Sequence, residues 1–150
     1  MMKDFTIKPL KGYGEIPFGM TIDETVKLMN MPEFYEELGD MEEMGNRTIY
    51  YEYESIQTGI YFEGITKSVA AYIETENEEA TLFGKKVFDL KKDEVIKLMK
   101  ANGFNKLEEE VEDDALRVSF VDAMTDFFFE DDMMTVVGWG VLVDDQGEIF

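Results

Sequence analysis

The side chains that most often carry reactions at neutral pH are missing from this chain: among 150 residues there is no cysteine and no histidine. That removes the thiolate, the imidazole, any disulfide, any zinc–sulfur site and any lipid-bearing cysteine. The three serines, Ser55, Ser68 and Ser119, have no evident base beside them in sequence. Carboxylates are abundant, and a pair of them could do glycosidase-type acid–base work. Adjacent acids such as Asp113-Asp114 are, however, what a solvated acidic surface supplies in any case. Asp131-Asp132 and the run Asp144-Asp145-Gln146-Gly147-Glu148 offer oxygen ligands suited to calcium or magnesium. Neither follows the alternating-acid loop that ends in a glutamate at its twelfth position, so both read as turns. Gly12-Tyr13-Gly14 lacks the helix and the lysine-serine pair of a phosphate loop. The chain therefore reads as non-enzymatic, with no metal and no cofactor.

Binding remains, and the charge says of what kind. Acids outnumber bases 34 to 14, a formal net charge of −20, and the excess is spread over both halves of the chain. Such a surface repels phosphate backbones and anionic membranes and attracts basic proteins. Nucleic acid is excluded as a partner class. No apolar run approaches the length of a membrane span, and MMKDFTIKPL at the start does not suit a leader, so the expected setting is cytoplasmic. The apolar fraction of 45% supports a packed core in one ordinary domain or two very small ones.

The elements that must carry a binding surface are written twice. Asp23-Glu24-Thr-Val-Lys-Leu-Met29 recurs as Asp93-Glu94-Val-Ile-Lys-Leu-Met99, and over Phe18–Met29 and Phe88–Met99 six of twelve positions are identical without a gap. Downstream, Thr48–Gly64 lies over Ala115–Asp131 at an offset of 67. Thr21 and Glu24 have capping-box spacing before an amphipathic run that ends at Asn30-Met31-Pro32. A short second helix is expected over Pro32–Leu38 and a polar connection over Met41–Gly45. Strands follow over Arg47–Glu54, Ile56–Glu63 and Ile65–Glu74, with a tight turn at Glu63-Gly64. Thr75–Leu82 reads as a polar linker. In the second half the spacing predicts a helix over Lys92–Ala101 stopped by Gly103, an acidic connection over Glu108–Asp114, and strands over Ala115–Asp122, Thr125–Glu130 and Met133–Val143. The expected architecture is α+β: two tandem α-β-β-β units, 1–75 and 76–150, with antiparallel sheets, helices on one face, and one shared pseudo-symmetric core.

The order Gly19-Met20-Thr21, an acidic helix start, Pro32 past the helix, then aromatic strands with Tyr51, Tyr53 and Tyr61-Phe62 resembles the SmpA/OmlA outer-membrane-assembly lipoproteins. It is also similar to the β-lactamase inhibitor protein fold, in which such units occur in tandem. The second unit departs, with Asp89-Leu90-Lys91 in place of Gly-Met-Thr and no proline after its helix. The resemblance implies the fold and, from the inhibitor side, a tandem unit that grips another protein with its sheet surface.

Period-two alternation assigns the faces. Ile49, Tyr51, Tyr53, Ile60 and Phe62, with Leu116, Val118, Phe120, Phe127 and Phe129, form apolar faces that should meet the helices. The opposite side carries Tyr50, Glu52, Tyr61, Glu63, Tyr72 and Glu74 in one half and Arg117, Ser119, Asp126, Phe128 and Glu130 in the other. Aromatics mixed with acids there serve either as cross-strand pairs that stabilise and solubilise the sheet or as anchors for a basic partner. Trp139, set between Gly138 and Gly140, is either a buried ring or an anchor, and it joins the candidate contact residues Tyr50, Glu52, Tyr61, Glu63, Tyr72, Asp126, Phe128 and Glu130. The expected role is an immunity or inhibitor protein that occludes a basic toxin or enzyme. An envelope assembly or scaffold module, and a small-ligand or cation-binding module, are the alternatives. The sequence leaves the oligomeric state open.

Overall fold

Helix α1 (Ile22–Met29) begins where its cap dictates. The Thr21 hydroxyl accepts from the Glu24 backbone N–H, and the Glu24 carboxylate accepts from the Thr21 N–H at 3.1 Å, so two otherwise orphaned donors are satisfied. Helix α2 (Lys92–Ala101) starts 70 residues later. Lysine has no acceptor to cap with, and only the return half of the box remains, from the Lys91 N–H to Glu94 at 2.9 Å. Gly103, at φ 91°, follows its end. The computed structural model describes residues 1–38 and 47–150, so the expected connection at Met41–Gly45 lies outside the described residues.

The strands in chain order are β1 (Thr6–Lys8), β2 (Gly12–Tyr13), β3 (Ile16–Pro17), β4 (Phe34–Leu38), β5 (Thr48–Tyr53), β6 (Thr58–Glu63) and β7 (Val69–Thr75). After these come β8 (Thr81–Leu82), β9 (Lys85–Lys86), β10 (Leu107–Glu112), β11 (Ala115–Phe120), β12 (Thr125–Glu130) and β13 (Met133–Gly140). Eight of them make one antiparallel sheet in the order β10-β11-β12-β13-β7-β6-β5-β4. A smaller sheet, β3-β2-β1-β8-β9, contains a parallel pair, β1 with β8. The fold is thus α+β and mostly sheet, with two helices among the described residues.

Four expectations need correction. Phe34–Leu38 is a strand, not a helix: its pairing with β5, Phe34 opposite Glu52 through Leu38 opposite Thr48, outweighs the Pro32 and Gly39 punctuation. Leu107–Glu112 is also a strand, because its backbone pairs fully with β11 while its glutamates face solvent. Each described helix is therefore followed by four strands of the large sheet, not three. The Thr75–Leu82 linker contains a strand and buries Ala80 and Leu82 completely, as the small sheet covers the core. Lastly, β6 and β7 are joined by five residues, not by a tight turn at Gly64.

Several local features recur 67 residues apart. The short helical turns Glu54–Ile56 and Val121–Ala123 are each followed by a left-handed residue, Gln57 at φ 50° and Met124 at φ 47°. Thr58 and Thr125 hydroxyls donate to the Ile56 and Ala123 carbonyls at 2.8 and 2.9 Å. Register shifts follow Tyr61 and Phe128. At the seam between β7 and β13, Ile73 faces Trp139, Glu74 faces Gly138, and Thr75 faces Val137.

One face of the large sheet is the core. Tyr53, Ile60, Phe62, Ile73, Val118, Phe120, Phe127, Phe129 and Val137 are buried there with Met29, Val95 and Met99 from the helices and Ile7, Tyr13, Ile16 and Leu82 from the small sheet. The assignment of faces by alternation holds, and Phe128 is the phenylalanine of DFFFEDD that points away from the core. No described helix is long and apolar enough to cross a membrane.

Candidate functional site

Neither described helix lies on the other face of the large sheet, since both bury their apolar residues in the core, and its register sets what it presents. One row runs across all eight strands from β4 to β10: Phe34, Glu52, Gly59, Glu74, Gly138, Asp126, Ser119 and Glu108. Carboxylates fall on every second strand, about 10 Å apart at the usual strand spacing. Beside this row stands another, Glu36, Tyr50, Tyr61 and Tyr72. Together with Phe34 the tyrosines form a ladder of rings, with centroids 6.3 Å apart for Phe34 and Tyr50, 4.8 Å for Tyr50 and Tyr61, and 5.7 Å for Tyr61 and Tyr72.

The glycines in the carboxylate row are positions of close approach. A β-carbon on Gly59 would fall 2.5 Å from Tyr50 Cε1, and one on Gly138 would fall 2.0 Å from the Tyr72 hydroxyl. The tyrosines lean over the glycines, and hydrogen bonds fix them. Tyr50 donates to Glu52 Oε1 at 3.2 Å, and Tyr72 donates to Asp126 Oδ2 at 3.2 Å. Ser119 donates to the other oxygen of Asp126 at 2.5 Å, so this carboxylate ties β7 to β11 and β12. Phe128 stands between Arg117 and Val136 in register, and Arg117 is engaged by Glu110 and, at 3.6 Å, by Glu112. Along the first half, an open groove of about 360 Å³ is lined by Tyr50, Glu52, Glu54, Gly59, Glu74, Glu76 and Val136 among others.

Of the residues expected at the site, Tyr50, Glu52, Tyr61, Tyr72 and Asp126 come together, and Phe128 lies on the same face in the other half. Glu63 and Glu130 end β6 and β12, which run in opposite directions, and so sit at opposite ends of the sheet. Trp139 is corrected: it is fully buried on the core side, where its indole N–H donates to the Gly12 carbonyl at 2.8 Å and its ring meets Tyr13 edge-on at 5.1 Å. Its flanking glycines make room for Tyr72, not for the tryptophan.

No family model matches this sequence, and no curated protein matches it. Among solved structures, an extracellular protein containing an SCP domain from Bacillus anthracis str. Ames is similar with a TM-score of 0.46 at 11% identity. The likeness covers 92% of this chain and 45% of that one, so this chain spans less than half of its length.

Sequence reasoning missed Phe34, Glu36, Glu108 and Glu110, all on the two edge strands, and the glycines that let the tyrosines lie flat. The alternation in Phe-Tyr-Glu-Glu-Leu is too short to separate strand from helix without its pairing partner. The acid-rich C-terminal turn is self-contained, Asp144 accepting from the Gln146 and Glu148 N–H groups at 2.9 Å each, and Asp131-Asp132 form the two-residue turn between β12 and β13. No described group of three or more acids is arranged to hold a metal ion.

Electrostatics on the open face keep its tyrosines protonated. Burial, then Glu52, pushes Tyr50 from 10.0 up to about 12, and burial with neighbouring Glu74 and Asp126 drives Tyr61 and Tyr72 higher still. Burial also raises the Glu63 carboxyl. A raised phenol pKa means the folded chain holds protons that the unfolded chain releases above its ordinary value of 10.0. Stability is then present below about pH 10 and is lost as the pH climbs through about 12, where Tyr13, Tyr50 and Tyr53 titrate. An ultraviolet tyrosinate titration should show these tyrosines ionising together with unfolding by circular dichroism. Full ionisation of all seven near pH 10 in a folded chain would contradict the burial.

Proposed function

We propose that this chain is a non-enzymatic acidic protein-binding module whose open sheet face occludes a basic partner, in the manner of an immunity or inhibitor protein for a toxin or enzyme. The observation that carries this reading is the row Glu52, Glu74, Asp126 and Glu108 set beside the tyrosine ladder. Rigid aromatics held by packing and hydrogen bonds supply anchors at low entropic cost, and spaced carboxylates orient a cationic surface and speed its arrival. Arg117, a cation on the same face in register with Phe128, is already paired with Glu110 and Glu112, so it opposes a basic partner little.

The architectural part of the proposal is that two copies of one helix-plus-sheet unit, 1–75 and 76–150, form this single sheet about a pseudo-twofold axis. In its support, the seam pairs Ile73–Trp139 and Thr75–Val137 interchange under a shift of 64 residues, and the turns, left-handed residues and register shifts recur at 67. The offset shortens between them because the β6–β7 loop has three more residues than the β12–β13 turn.

Titration calorimetry against a panel of small cationic proteins tests the function. The expected result is a stoichiometric complex with at least one of them whose affinity falls steadily as salt rises. Failure of every cationic protein to bind at low salt would remove the proposal.

A further inference from the structure

We infer that the groove beside Tyr50 is the seat for an arginine side chain of that basic partner, its guanidinium stacked on the tyrosine and bonded to the surrounding glutamates. This rests on the proposed function, whose docking face it subdivides. The groove has one aromatic wall, Tyr50, continuous with Tyr61, and an opposite boundary at Val136. Between them Gly59 contributes no side chain, so the Tyr50 ring lies over it near the start of β6 and lines the groove. Glu52 and Glu74 flank Gly59 in register on either side, with Glu54 and Glu76 just past the ends of β5 and β7. No lysine or arginine is among the described residues that line it.

Charge complementarity requires a cation here, and the shape of the lining selects which one. Arginine presents a planar fork of donors that stacks on an aromatic face and bonds two carboxylates at once, and it is weakly hydrated. Lysine offers a compact, strongly hydrated ammonium that gains little from the ring. The Tyr50 hydroxyl is already engaged with Glu52, so the ring face, not the hydroxyl, is what the groove offers an incoming group.

The test uses labelled hexa-arginine and hexa-lysine peptides, titrated into the full chain and followed by fluorescence anisotropy at physiological salt. Glu74→Gln/Glu76→Gln alters the groove, and Asp145→Asn/Glu148→Gln, in the exposed C-terminal turn, removes the same charge elsewhere. Hexa-arginine should bind about tenfold more tightly than hexa-lysine, and the groove variant should lose about tenfold while the turn variant loses little. Equal binding of the two peptides, or equal losses in the two variants, would overturn the arginine seat while leaving a basic partner possible through overall charge. Absence of binding by either peptide, with a cationic protein still bound, would overturn the seat alone. Absence of binding by peptides and cationic proteins alike would remove the proposed function with it.

Discussion

Glu52→Lys/Glu74→Lys should weaken binding of a cationic partner on the order of a hundredfold, whereas Asp145→Lys/Glu148→Lys, an identical change in net charge, should weaken it only a few-fold. The two pairs differ in place alone. Glu52 and Glu74 flank Gly59 in the central row of the open face, and Asp145 and Glu148 are exposed in the C-terminal turn. At that turn a lysine meets the partner, if at all, through screened solvent. On the face it sets a like charge against a desolvated cationic surface, which costs several kcal/mol, and a hundredfold is about 2.7 kcal/mol. Both pairs relieve the self-repulsion of a chain with net charge −20, and on the face this offsets the loss of the Glu52 acceptor of the Tyr50 hydroxyl, so the two thermal midpoints should lie close together. Calorimetric affinities and thermal midpoints of the two variants decide the matter. Equal losses of affinity would mean that bulk charge alone attracts the partner.

The second large effect is on folding. Trp139→Ala should cost about 3–5 kcal/mol, a large part of the stability of an ordinary domain. The indole is fully buried at the seam of β7 and β13, touches Tyr13, and satisfies the Gly12 carbonyl. Removing it opens a cavity beneath both halves of the sheet and loosens the small sheet that covers them. Trp139→Phe keeps much of the volume and loses the donor to Gly12, so about 1–3 kcal/mol is expected. Urea unfolding followed by far-ultraviolet circular dichroism, which does not depend on the tryptophan, measures both. A loss below about 1 kcal/mol for Trp139→Ala would contradict a core position.

Much of this was legible because alternation and capping are local. Thr21 with Glu24, Lys92–Ala101, and the parity of Phe127, Phe128 and Phe129 follow from residue order alone, and so does the separation of a core face from an acid-aromatic face. What failed depends on pairing. Four of the six residues of Leu107–Glu112 are glutamates, poor strand formers, yet an edge strand needs only one neighbour and tolerates charge toward solvent. Phe34–Leu38 is strand for the same reason. Trp139 was misjudged because its side of the sheet depends on the register of β12 with β13, which shifts after Phe128, and because a glycine beside a tryptophan does not reveal which neighbouring ring needs the space. The carboxylate row could not be read at all before the register was known, since its members come from strands far apart in sequence.

The most direct test of the account is to map where a cationic protein that binds this chain actually sits, by amide chemical-shift changes and hydrogen-exchange protection on the labelled chain. The changes should concentrate on Tyr50, Glu52, Gly59, Tyr61, Tyr72, Glu74 and Asp126. Changes confined to α1, α2 and the C-terminal turn, with those residues unmoved, would contradict it.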